Sequence, residues 1–273
     1  MDTTAPVREA RSHGHKLGQS RGFCWFARFG IAARGVVYIV IGVLAVKLAL
    51  GDGGKTTDQQ GALHTIAKQP AGTMLLLLVA IGLAGYASWR LLRAALGGTQ
   101  GADDLKDRID GTASGISYAI LFFAAVKIIS GSGGGGSDPD KTAGGVLGWP
   151  GGPWLVGLAG VIMDGVGLQQ GYKGITRSFM ENTNTDRMPD HVERGYIALG
   201  VFGHLARMVV FGLIGYFLVK AALDFDPDKA VALDGALAKL ANAPHGPVLL
   251  GIVAAGLIGF GAFSLVESRY RRV

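Results

Sequence analysis

Three stretches of the chain can be laid on one another without a gap. GIAARGVVYIVIGVLAVK, starting at Gly30, falls on DGTASGISYAILFFAAVK after a shift of 80 residues and on GHLARMVVFGLIGYFLVK after a further 93. The register superimposes Ala33, Ala113 and Ala206, and it superimposes Lys47, Lys127 and Lys220. Each copy is an almost unbroken apolar run, and about 20 apolar residues are what a helix needs to cross about 30 Å of hydrocarbon. Self-similarity at a fixed period restricts the fold to repetitions of one unit. The apolarity makes lipid the solvent of that unit.

The repeat continues past the first run. Pro70 and Gly72 match Pro150 and Gly152, then Pro244 and Gly246, and Gly85 matches Gly165 and Gly259. Each unit therefore holds two apolar segments, which predicts spans at 30–50, 73–96, 111–130, 154–175, 196–223 and 248–266. Two helices separate each copy from the next, so the units point the same way across the membrane, unlike the inverted repeats of many transporters. The predicted fold is an all-α membrane protein of six transmembrane helices. They form three parallel tandem two-helix repeats with approximate threefold pseudo-symmetry. Its parts are a polar basic tail over 1–25, helix pairs over 26–97, 106–177 and 199–271, and a linker over 178–198.

Composition agrees. Of 273 residues, 49% are hydrophobic and 17% charged, against roughly a quarter charged in soluble chains. Gly is abundant at 45 residues, and small residues let helices approach closely in lipid. Gly82 with Gly85, Gly165 with Gly167, and Gly256 with Gly259 are the expected packing strips. The one cysteine, Cys24, excludes an intrachain disulfide. The first 28 residues lack the short apolar core and cleavage site of a signal peptide, so the first span is expected to stay in the protein.

Charge gives the orientation, because Lys and Arg collect in cytoplasmic loops. One set is Arg8, Arg11, Lys16, Arg21 and Arg28, then Arg90, Arg93, Lys106 and Arg108, then Lys173, Arg177, Arg187 and Arg194, then Arg269, Arg271 and Arg272. The alternate loops hold only Lys55, Lys68, Lys141, Lys229 and Lys239. Both termini are thus expected in the cytoplasm. The net charge of +6 flanks apolar spans, so the partner it implies is anionic lipid headgroups rather than nucleic acid.

Arg34 and Lys47 stand 13 residues apart, about 20 Å along a helix. Each is expected to snorkel to its own surface. Arg34 recurs as Arg207 but is Ser114 in the middle copy. The sharper reading of Lys47, Lys127 and Lys220 is a ring of ammoniums at an outer vestibule. Outside the spans, GALHTIA at 61–67 and GALAKLA at 235–241 predict short interfacial helices, with Asp58 and Asp228 as N-caps. GSGGGGSDPDK in the middle copy predicts a flexible loop.

The run FARFGIAARGVVYIVIGVLAVK resembles the bacterial domain-of-unknown-function 1206 family of multi-pass membrane proteins. The residues that carry the resemblance are Ala27, Arg28, Gly30, Ala33, Arg34 and Gly35. It implies a two-helix unit in three copies over about 26–271. It implies no activity.

Asp164 is the most unusual residue, about 15 Å into the fourth span by helix rise. Its equivalents are Ala84 and Ile258. With Gln169, Gln170 and Lys127 it forms a candidate intramembrane polar site, read either as a proton or cation site or as a hydrogen-bonded tie between helices. His204 reads as an interfacial side chain. Asp224, Asp226 and Asp228 start like a calcium loop, but Lys229 and Gly235 stand where Gly and Glu are required. No nucleophile–base pair, metal-ligand spacing or dinucleotide fingerprint occurs, so neither a catalytic site nor a cofactor is expected. The favoured reading is an accessory or scaffold subunit of a bacterial cytoplasmic membrane. It would pack against lipids or another membrane protein. The alternative is a small carrier or channel using Asp164 and the outer lysines.

Overall fold

The computed structural model describes residues 21–52, 56–96, 104–131, 145–226 and 229–271. Among these, six long helices and two short ones form the molecule. They are α1 (Arg21–Ala49), α2 (Gln59–Ala67), α3 (Gly72–Leu96), α4 (Asp104–Ile129), α5 (Gly152–Thr176), α6 (Asp190–Asp224), α7 (Leu233–Ala241) and α8 (Gly246–Tyr270). Five of the long helices are long and apolar enough to cross a membrane: α1, α3, α4, α6 and α8. The sixth, α5, is as long as α3 and α8, but Asp164, Gln169 and Gln170 interrupt its apolar sequence.

The packing order in space is α4, α3, α1, α8, α6, α5. The broadest contacts join the second long helix of one unit to the first of the next: α3 with α4, α5 with α6, and α8 back to α1. Within units, α1 packs on α3 and α6 on α8, whereas α4 and α5 barely touch. The arrangement is closed everywhere but at the middle unit.

The reason for the close contacts is backbone proximity. A Cβ on Gly35 would lie 2.7 Å from the Gly261 carbonyl oxygen, and one on Gly42 would lie 2.8 Å from that of Ala254. Of the expected packing strips, Gly82, Gly167 and Gly256 sit against a neighbouring helix. Gly165 faces open space and Gly259 meets only ordinary contacts. Large buried side chains, including Ile41, Leu83, Leu257, Phe260 and Phe263, fill the centre. The outer face is apolar too: Trp154, Leu158, Val161 and Leu168 of α5 are all more than half exposed. A chain that turns such side chains outward has lipid for a surrounding.

One turn is built three times. Gly72 N–H donates to Gln69 O, Gly152 N–H to Trp149 O and Gly246 N–H to Ala243 O, at 2.7, 2.8 and 2.8 Å. The residue after each proline has positive φ: Ala71 at 59°, Gly151 at 80° and His245 at 61°. Proline followed by a left-handed residue is a type II turn. The prolines Pro70, Pro150 and Pro244 accordingly lie just outside the helices and not in their first turns. The glycines that follow open α3, α5 and α8, where a side chain would run into the carbonyl oxygens ending the preceding segment.

Asp58 caps α2 as expected, accepting from Gly61 N–H at 2.7 Å. Helix α7 differs from expectation. It starts at Leu233 with Ala232 at the N-cap position and no side-chain cap, and Asp234 supplies the acidic first turn. Asp228, the expected cap, lies outside the described residues, as does most of the glycine-rich loop. Between α5 and α6, the expected linker holds two 3₁₀ turns, Ser178–Asn182 and Thr185–Arg187, and the start of α6. It is tied to the end of α8 by Asn184 N–H donating to Tyr270 O at 2.9 Å.

Candidate functional site

Two polar features lie inside the helix bundle. The first is an ion-pair cluster where α8 crosses α1. Arg34 donates to Glu267 Oε2 at 2.7 Å and to Ser264 Oγ at 3.2 Å. Arg271 also bonds to Glu267. Ser264 and Glu267 are buried. Arg34 therefore does not reach for a membrane surface as the sequence suggests; it turns inward to a carboxylate. Next to this cluster, Thr183 and Tyr196 share a hydrogen bond at 2.9 Å. His204 bonds to Gln170 Oε1 at 2.7 Å and stacks on Phe179. His204, read from sequence as interfacial, is buried.

The repeat register relates these interfaces. Glu267 of α8 corresponds to Lys173 of α5 and Arg93 of α3, and Ser264 corresponds to Gln170 and Arg90. So Arg34 meets a carboxylate from the preceding helix, whereas its equivalent Arg207 faces a position occupied by a lysine. Arg207 makes no ion pair among the described residues. Its guanidinium lies over the rings of Phe260, Phe211 and Tyr38, at 4.3, 5.1 and 5.4 Å from their centroids, and its Nε is buried without a hydrogen-bond partner.

The second feature is a cavity of about 550 Å³ that Arg207 lines. Its walls are largely apolar: Val210, Ile214 and Leu218 of α6 on one side, Val156, Ala159 and Met163 of α5 on another, and Ile120 of α4 opposite. Gln59 and Gln60 of α2 stand at the far end from Arg207. Among the described residues, Arg207, Tyr38 and the two glutamines are its polar side chains. Since α4 and α5 line the cavity and barely touch each other, it faces the gap between them.

The residues singled out in the sequence are dispersed. Asp164 packs on Gly215 of α6, and no ion pair joins it to Lys127. Gln170 is engaged with His204. Gln169 is half-buried, and Lys47, Lys127 and Lys220 are exposed at the far ends of their helices. None of these lines the cavity. What sequence reasoning missed is Glu267, which lies beyond the last apolar residue of its span. The signal available was its helical spacing from Arg271 and Ser264. At the acidic turn, Lys229 pairs with Asp224 at 2.9 Å and with Asp226 at 3.2 Å, and these two carboxylates raise its pKa.

Fold and polar core together define a multi-pass, all-helical membrane protein built from a repeated helix-pair unit. The chain belongs to the Domain of Unknown Function (DUF1206) family, whose model matches residues 29–97, 110–177 and 202–271. It is similar to the Uncharacterized protein YxxB of Bacillus subtilis (strain 168), with 36% identity over 252 residues that cover 91% of each chain. No solved structure matches it.

Proposed function

We propose that this protein is a non-enzymatic accessory or scaffold subunit of a bacterial cytoplasmic membrane. In this reading α5 also crosses the bilayer, giving six spans in three pairs about an approximate threefold axis, with both termini cytoplasmic. The cyclic contacts of α3 with α4, α5 with α6 and α8 with α1 support that symmetry. The observation that carries the functional reading is the unclosed middle unit. Along it Ile116, Ile120 and Phe123 of α4, and Leu155, Leu158 and Ile162 of α5, are exposed and apolar. Two of the three helix pairs pack internally, and this one is left for another component of the membrane to complete. A carrier acting through Asp164 and the outer lysines has less support, since none of those residues lines the cavity.

The test is purification from native membranes in a mild detergent, followed by identification of co-purifying protein. A stoichiometric companion that is lost in Ile120→Arg and Leu158→Arg variants is expected. Recovery of the wild-type protein alone would overturn the reading.

A further inference from the structure

The repeat supplies an internal template for what Arg207 lacks. Its equivalent, Arg34, is completed by a carboxylate at 2.7 Å. At Arg207 the corresponding residue is Lys173, and Arg207 itself lines the cavity, as do Tyr38 and Phe211, two of the rings its guanidinium lies over. An arginine inside an apolar bundle is strongly biased toward an anionic partner, and the planar guanidinium matches a carboxylate in shape. Among the described residues no second cation lines this cavity to favour a more highly charged head.

The rest of the cavity dictates the remainder of the ligand. Val210, Ile214 and Leu218 follow Arg207 at helical spacing and form one apolar stripe. From Arg207 to Leu218 is about 16 Å along the helix, close to half of the roughly 30 Å hydrocarbon thickness. The volume of about 550 Å³ lies in the range of sites for one small ligand, about 300–1,000 Å³. The gap between α4 and α5 gives a sideways entrance from the lipid. We propose that this cavity binds one long-chain carboxylate, its carboxyl group on Arg207 and its acyl chain along α6 toward Gln59 and Gln60. The inference rests on the reading of the chain as an integral membrane protein but not on its having a protein partner.

Equilibrium binding of radiolabelled palmitate to the purified full chain tests it, with hexadecanol as competitor. One saturable site per chain is expected, with hexadecanol competing at least about tenfold less well, because a lost charge-assisted hydrogen bond is worth about that factor or more. Arg207→Gln weakens palmitate binding by a similar factor. Met163→Trp, which fills the cavity without touching the cation, also weakens it at least tenfold. Lys47→Gln, at an exposed residue outside the cavity, leaves it unchanged. Should Arg207→Gln fail to fold, the Met163→Trp and hexadecanol arms still decide. No saturable binding, equal competition by hexadecanol, or wild-type affinity in folded Arg207→Gln overturns the proposal. Palmitate binding by a protein recovered without a companion sinks the subunit reading and leaves this one standing.

Discussion

Glu267 is the side chain on which most of the internal polar structure converges. It accepts from Arg34 and Arg271, and it is buried. Removing one member of a buried ion pair leaves an uncompensated charge and costs about 3–5 kcal/mol, whereas exchanging both members for apolar residues is often neutral. Glu267→Gln is therefore expected to destabilise by about that amount in thermal unfolding of the detergent-solubilised protein, and the triple replacement Arg34→Met, Glu267→Leu and Arg271→Met, which removes every member of the cluster, to recover most of the loss. Asp58 makes a different prediction, outside the spans. Burial, with Asp234 nearby, raises its pKa, against the opposing effect of its bond from Gly61 N–H. A carboxyl whose pKa is raised on folding binds its proton more tightly in the folded state. Its contribution is thus full below the ordinary aspartate range and is lost as pH rises through the raised value. Asparagine caps a helix as well as aspartate does and does not titrate. Asp58→Asn should flatten the decline in unfolding temperature as pH rises from the ordinary aspartate range toward neutrality, and should be no less stable than wild type at pH 7.

At the scale of elements, the contact between α1 and α8 depends on two glycines facing one another. A Cβ on Gly261 would stand 2.6 Å from the Gly35 carbonyl oxygen, and the reverse approach is 2.7 Å. Backbone cannot yield as a flexible side chain can, so Gly261→Val must push the helices apart. The expected loss is about 1–3 kcal/mol, the usual effect of overpacking. Gly165→Ala, where nothing lies within 4 Å of the added carbon, should change the unfolding temperature little. These two glycines look alike in the sequence. The repeat register shows that a glycine recurs, but which face of a helix meets a neighbour depends on the order of packing in space. That order is why Gly165 reads as a packing position without being one, and why Gly259, though buried against Leu199 and Phe202, leaves room for a Cβ at ordinary contact distance. The recurrence of proline and glycine before α3, α5 and α8 was legible, but the type II turns were not, because the left-handed position is held in two copies by Ala71 and His245, which do not favour it. The span of α8 was read as ending at Val266 because Glu267 and Arg269 are charged. A charged residue ends an apolar run in sequence, but it need not end a buried helix when its partner, Arg34, lies 233 residues away.

For the whole molecule, the repeat was the most legible feature, since a register of identical residues needs no packing information. The gap in the middle unit was not legible: nothing in the apolar pattern of α4 or α5 distinguishes a helix that meets its partner from one that does not. The proposed orientation, with both termini cytoplasmic, rests on charge. The cations at the start of α1, between α3 and α4, between α5 and α6 and after α8 far outnumber those in the alternate segments, and such bias holds loops in the cytoplasm. In that proposal the exposed Lys47, Lys127 and Lys220 mark the opposite face, each near the end of the first long helix of its unit. Alkaline phosphatase, which is active only outside the cytoplasm, reports this directly when fused after successive helices. Fusions after Asp52, Gly131 and Asp226 are expected to be active, and fusions after Arg177 and at the carboxyl terminus inactive. The decisive pair is Gly131 against Arg177. If α5 crosses the membrane despite Asp164, Gln169 and Gln170, the two differ; equal activity would mean that α5 lies on one side, and the arrangement of three parallel pairs would fall with it.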